Sequence, residues 1–180
     1  MHWMPKICYE PIPYCCTPSN RRSLLQVLPH VDLFSPNHVE ASSFLQLTEK
    51  TWPGTREEIE DLCKKYLELG AKDKIVIRCG PMGACGVDRK TGSITWVPAY
   101  HYQDPSILID STGCGNSMLV SVSQVSGGHL SSCLCKGGMM VGLSKSDASL
   151  QEGLLYGSIS ASFSDLFQFI ELISMLNEAQ

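Results

Sequence analysis

One stretch of this chain has the residue types and spacing to hold a transferring group. Asp110-Ser111-Thr112-Gly113-Cys114-Gly115-Asn116 follows directly on the short β-like run Ser106–Ile109. Gly113 and Gly115 let the backbone turn tightly, so successive N–H groups can point into one concavity. A helix starting there adds its unpaired amides and the positive end of its dipole. Such a loop suits the phosphate that leaves a nucleotide; the same spacing also fits a glycine turn that only enters a helix. The nine cysteines suggest metal or disulfide chemistry, but their positions do not support it. Cys8, Cys15, Cys16, Cys63, Cys79, Cys85, Cys114, Cys133 and Cys135 form no C-x-x-C pair and no frame with spaced histidines. An odd number without a secretion signal fits reduced, mostly buried thiols, with cysteine serving as a small hydrophobe.

The elements that must position the loop alternate short strand-like runs with helical ones, the pattern of a layered α/β fold. Residues 7–10 read as a strand that runs into Pro11 and Pro13. Thr17-Pro18 reads as a cap and first turn of a helix through about Leu28, followed by a strand over Val31–Phe34 and a helix from about Asn37 to Leu47. Over 56–69, Ile59, Leu62, Cys63, Tyr66 and Leu67 recur every three or four residues, which makes one buried stripe. Glu57, Glu58 and Glu60 lie near that helix's positive end, and Gly70 stands just past its other end. KIVIRC (74–79) reads as a core strand, Gly80-Pro81-Met82-Gly83 as a turn, and Asp88–Ser93 as the bend of a hairpin returning through Ile94–Val97. Ser149-x-x-Glu152 opens a last helix as a capping box. Its small residues Gly157, Ser158, Ser160, Ala161 and Ser162 predict close packing on a neighbour.

Composition excludes several partner classes. Fourteen Lys+Arg against eighteen Asp+Glu leave a formal net charge of −4 with no basic stripe, which argues against nucleic acid. No apolar run approaches the ~20 residues needed to span a bilayer, and the N-terminus lacks a signal layout. A soluble cytoplasmic chain with no membrane partner is expected.

Four ordered segments together give a resemblance. The loop at Asp110–Asn116 is similar to the D-T-x-G-A-G-D signature of the ribokinase or PfkB family of carbohydrate kinases. Asn37-His38-Val39-Glu40 matches that family's N-x-x-E, Ile75–Gly83 matches its strand and G-x-x-G turn, and YGSISASF (156–163) resembles the helix beside the adenine. The stretches YEPIP, VDLFSPNHVEA, WVPAY and LYGSISASF resemble most its fungal branch named for maintenance of killer virus. The resemblance covers nearly all of 7–165 and implies a ribokinase-like three-layer α/β/α fold. It also implies transfer of the γ-phosphate of ATP to a sugar or nucleoside hydroxyl with Mg2+, and K+ as the candidate monovalent ion.

By position, Gly113, Cys114 and Gly115 would form the anion hole, and Asp110 and Thr112 would help hold the monovalent cation. Asn37 and Glu40 would order the magnesium-bound waters. Arg78, Gly80 and Gly83 would lie along the nucleotide, and Tyr156 and Ser158 would flank the adenine. Capping of a helix start remains the alternative for Asn37 and Glu40, and turn chemistry the alternative for Asp110.

Three departures qualify the expectation. Asn116 stands where the family has its catalytic aspartate, and an amide cannot accept the acceptor's proton. The chain begins near the middle of the family fold, so residues 1–180 are expected to form a partial domain that lacks the N-terminal half and lid. Such a chain alone is expected to be inactive or weak, with homo-oligomerisation one way to cover exposed surface. Residues 120–136, VSVSQVSGGHLSSCLCK, interrupt the helix after the loop. Valine codons begin GT and a lysine codon can end AG, so the segment has the ends of a retained intron as well as the polarity of a surface loop. A degenerate nucleotide-binding or interaction protein, or a truncated gene product, is the alternative to a kinase.

Overall fold

Residues 7–47, 53–99, 139, 142–143 and 149–159 are described by the computed structural model. The chain divides into two compact units, Met4–Trp96 and a second comprising Val97–Gln180 with Met1–Trp3. In the first, strands β1 (Cys8–Tyr9), β2 (Leu33–Phe34), β3 (Lys74–Arg78), β4 (Ala84–Asp88) and β5 (Ile94–Val97) form one sheet in that order. β1, β2 and β3 run parallel, with Cys8 opposite Leu33 and Leu33 opposite Lys74, whereas β4 turns back antiparallel on β3. Each parallel strand ends shortly before a proline (Pro11, Pro36 or Pro81), which has no N–H to continue a ladder.

Three helices pack with the sheet: α1 (Arg21–Val27), α2 (His38–Phe44) and α3 (Arg56–Glu68). α3 forms as its periodicity predicts. It buries Ile59, Leu62, Cys63 and Tyr66, and Thr55 and Glu58 close a reciprocal capping box at its start. Fully burying an Ile or Leu there contributes about 1.5–3 kcal/mol. Phe34 on β2 stacks on Tyr9 (centroids 5.7 Å) and tilts against Tyr66 (5.1 Å). The Tyr66 hydroxyl donates to the Ala41 carbonyl at 2.7 Å, satisfying an end group of α2.

Two helix boundaries differ from expectation. Thr17 does not cap α1; its hydroxyl pairs with that of Ser19 at 2.8 Å, and Pro18–Asn20 form a separate 3-10 turn. α2 stops at Phe44 instead of Leu47, because Gln46 turns to φ 64° and the N–H groups of Leu45 and Leu47 both reach the Ser42 carbonyl. The cysteines behave as small hydrophobes: Cys16, Cys63, Cys79 and Cys85 are buried and unbridged, and Cys15 alone among the described ones is exposed. The neighbouring Cys85 thiol, together with burial, pushes the Cys63 thiol well up.

A buried ion pair locks the β3–β4 hairpin. The Lys74 ammonium, 2% exposed, lies 2.9 Å from Asp88 Oδ2 and 3.4 Å from Asp73 Oδ1. Burial alone raises the Asp88 carboxyl. The Lys74 charge and the N–H groups of Lys90 and Thr91 outweigh that and hold it below the usual aspartate value. A carboxyl lowered on folding adds stability that is complete above its unfolded value of about 3.9 and vanishes as pH falls through the folded one. Asp88→Asn keeps the acceptor oxygen for the turn but loses that charge. The variant is therefore expected to unfold at lower urea than wild type near about pH 6, with the gap closing below about pH 4. Urea midpoints across that range check it, and a gap that persists in acid contradicts it.

In the second unit, residues 150–159 are helical and Ser149 Oγ accepts from Glu152 N at 3.4 Å, one half of the expected capping box. Close packing is present at two glycines that precede the run singled out in the sequence. A Cβ on Gly153 would come 2.7 Å from Leu143 Cγ, and one on Gly142 2.8 Å from the Glu152 carbonyl and the Gly153 Cα. Only glycine allows this approach. Ser160, Ala161, Ser162, the strand expected over 106–109 and the segment 120–136 lie outside the described residues.

Candidate functional site

The carboxyl ends of the three parallel strands fall on one edge of the sheet, the side on which open α/β sheets bind ligands. That edge carries Glu10 after β1, Ser35 and Asn37 after β2, Arg78 at the end of β3 and Gly80 after it. Arg78 links them. Its Nη1 meets Glu10 Oε1 at 2.7 Å, and its Nη2 reaches the Ser35 carbonyl at 3.3 Å and lies 3.6 Å from Glu40 Oε2. All three charged side chains are largely buried, at 13% exposure for Arg78, 20% for Glu10 and 6% for Glu40. Burial lifts the Glu10 carboxyl, and the Glu40 charge adds to the rise against the pull of Arg78. The Cys8 thiol, on the same strand, is pushed up to about 11 by burial and by Glu10.

Asn37 and Glu40 form a capping box. Asn37 Oδ1 accepts from Glu40 N, and Glu40 Oε2 accepts from Asn37 N, both at 2.8 Å. The capping alternative is thus realised, and it leaves room for a second role. Every bond of Glu40 to the described residues uses Oε2 or the backbone, so Oε1 has no partner among them, in a side chain only 6% exposed. Ser35 Oγ and Arg78 Nε are buried and have no partner among the described residues. A carboxylate oxygen with no partner among the described residues suits Mg2+, which keeps most of its waters and meets proteins through one or two carboxylates. These residues fit the ion through its water shell. Asn37→Ala is expected to cost about 1 kcal/mol through the lost cap, and Asn37→Ser to recover most of it; thermal melts of both variants check this.

The Gly80–Met82 3-10 turn joins β3 to β4, with Gly80 at φ 54° and Gly83 at φ 90°. Both are backbone conformations that favour glycine. A Cβ on Gly80 would meet nothing within 4 Å, so the space above it is open. In the other unit, Ser158 Oγ donates to the Pro98 carbonyl at 2.9 Å, and Tyr156 is 39% exposed. Asp110, Thr112, Gly113, Cys114, Gly115 and Asn116 lie outside the described residues. The structure therefore brings Asn37, Glu40, Arg78 and Gly80 to one edge, and adds Glu10, which sequence reasoning passed over. Its signal was a lone acidic residue between the end of a strand and a proline.

No metal-ligand cluster of three or more His, Cys, Asp or Glu is present among the described residues, and no described helix is long and apolar enough to cross a membrane. Comparison with known proteins accounts for the mixed sheet. Residues 8–125 match the pfkB family of carbohydrate kinases, and the chain belongs to that family. It is 30% identical over 122 residues to the protein MAK32 of Saccharomyces cerevisiae, covering 64% of this chain and 33% of that one. Among solved structures it is similar to Escherichia coli phosphofructokinase-2 in complex with substrates and products, with TM-score 0.57 and 22% identity over 81% of this chain and 39% of that one. Arabidopsis thaliana ribokinase complexed with ribose and ATP gives TM-score 0.55 and 19% identity over 77% and 36%. The fold is therefore ribokinase-like α/β. The chain spans about a third of the length of the curated relatives it matches.

Proposed function

We propose that this chain carries the nucleotide side of a phosphotransferase that moves the γ-phosphate of ATP to a hydroxyl of a sugar or nucleoside. The observation that carries the reading is the carboxyl edge, where Asn37, Glu40, Arg78 and Gly80 converge and one Glu40 oxygen is free. In this reading Glu40, held by the Asn37 amide, meets the water shell of Mg2+ through Oε1. Magnesium supplies charge neutralisation along the phosphates when bound. The Gly80–Gly83 turn lets the nucleotide approach backbone closely. The amides of Gly113, Cys114 and Gly115 stabilise the transferring phosphate, Asp110 and Thr112 help hold a monovalent cation, and Tyr156 and Ser158 flank the adenine. Escherichia coli phosphofructokinase-2 has been solved with potassium and as a tetramer, which supports K+ and self-association as candidates here.

A second reading, a nucleotide-binding protein without catalysis, is favoured by Asn116 in place of the family aspartate. Calorimetry of the 180-residue chain with ATP and Mg2+ tests what the two share. Magnesium-dependent ATP binding supports the site, and a folded chain that binds no ATP rejects it.

A further inference from the structure

We infer that Glu10 is a positioning residue: it holds the Arg78 guanidinium off Glu40, so that one Glu40 oxygen stays free for the water shell of magnesium. The inference rests on the reading of Glu40 given under Proposed function. A guanidinium offers five N–H donors in a planar fork and pairs readily with a carboxylate through two parallel bonds. At this edge two carboxylates compete for it. Glu10 wins, at 2.7 Å from Nη1, while Glu40 Oε2 lies 3.6 Å from Nη2, beyond a hydrogen bond. The Ser35 carbonyl takes part of Nη2 at 3.3 Å and helps aim the fork away from Glu40.

Without Glu10, the nearest anion to Arg78 is Glu40. A bidentate grip would then use Oε1, the oxygen that now has no partner among the described residues, and would cancel the charge that attracts the metal. Glu10 is well placed to prevent this. It follows β1 immediately before Pro11, which biases its backbone to an extended conformation, and its side chain is four-fifths buried against the guanidinium.

Calorimetric affinity for ATP, measured with Mg2+ and again with EDTA, gives a ratio that reads the metal's share alone. Glu10→Gln is expected to lower that ratio about tenfold, as loss of an outer partner of a metal site typically does. Glu10→Asp keeps the charge and is expected to hold most of it. Adding Arg78→Met to Glu10→Gln removes the competing cation; both affinities are expected to fall with the lost nucleotide contact, while their ratio returns to within about twofold of wild type. A merely structural role for Glu10 would weaken both affinities together and leave the ratio unmoved, and that result overturns the inference. It is also overturned if the double variant stays as low as Glu10→Gln. A folded wild type with no magnesium-dependent affinity rejects the reading of Glu40 and this inference with it.

Discussion

Arg78→Met is expected to destabilise the chain by about 3–5 kcal/mol at neutral pH, the cost of breaking a buried ion pair from one side. The side chain is only 13% exposed and stands between two carboxylates that are themselves 20% and 6% exposed. Methionine fills much of the volume but leaves Glu10 and Glu40 facing each other in a poorly solvated pocket. The Ser35 carbonyl loses a donor as well. For a chain of this size the loss corresponds to roughly 10 °C in Tm.

A sign test separates this cause from simple loss of packing. Glu10 already has a raised carboxyl, and deleting the cation removes the one nearby group that pulls it down. Protonation of the pair then relieves the repulsion, so the deficit of Arg78→Met should shrink as pH falls from about 7 toward about 4. Thermal melts of wild type and variant at both ends of that range suffice. A deficit that is the same at both would mean that the aliphatic stem and not the charge holds this edge together. Arg78→Lys keeps one charge without the fork, and is expected to fall between the two.

This edge shows what can be read from the residues and what needs the fold. α3 was legible because a stripe at helical spacing can bury only one way, and Ile59, Leu62, Cys63 and Tyr66 do so. The hairpin was legible because Asp88 and Gly92 sit where its turn needs them; the carboxylate takes N–H groups from Lys90 and Thr91, and Gly92 has φ 69°. The end of α2 was not legible, since nothing in Leu45-Gln46-Leu47 forbids a helix. A left-handed Gln46 is a tertiary choice. Asn37 and Glu40 were found by motif, yet the motif could not tell capping from metal service. The structure has both oxygens of one carboxylate in different situations, with Oε2 in the cap and Oε1 free. Glu10 was missed because its partner Arg78 is far away in sequence, and long-range ion pairs have no local period. The run of small residues after Tyr156 lies mostly outside the described residues, and the close contact that is described uses two glycines, Gly142 and Gly153. Single glycines in a helix do not announce which backbone they meet.

Asn116→Asp is expected to raise phosphate transfer by roughly 10²–10⁴-fold, the usual contribution of a general base. The expectation follows from chemistry at one atom. As the acceptor hydroxyl attacks phosphorus it must lose its proton, and the carboxylate of an aspartate can take it while the amide of Asn116 cannot. Phosphoryl transfer depends mainly on positioning and on charge stabilisation, so nucleotide affinity should hardly change between the two residues. The comparison therefore splits kcat from binding. Transfer from γ-labelled ATP to a panel of sugars and nucleosides measures the first, and calorimetry with ATP and Mg2+ measures the second. A gain in transfer at constant affinity would identify the acceptor class and make this chain a kinase slowed at its last chemical step. Unchanged affinity with no transfer from either form would leave a protein that binds nucleotide and passes it to nothing, the reading that Asn116 itself favours. Asn116→Ala serves as the control: it lacks a base, and a rise in transfer with alanine would show that the side chain obstructs the acceptor instead of failing to take its proton.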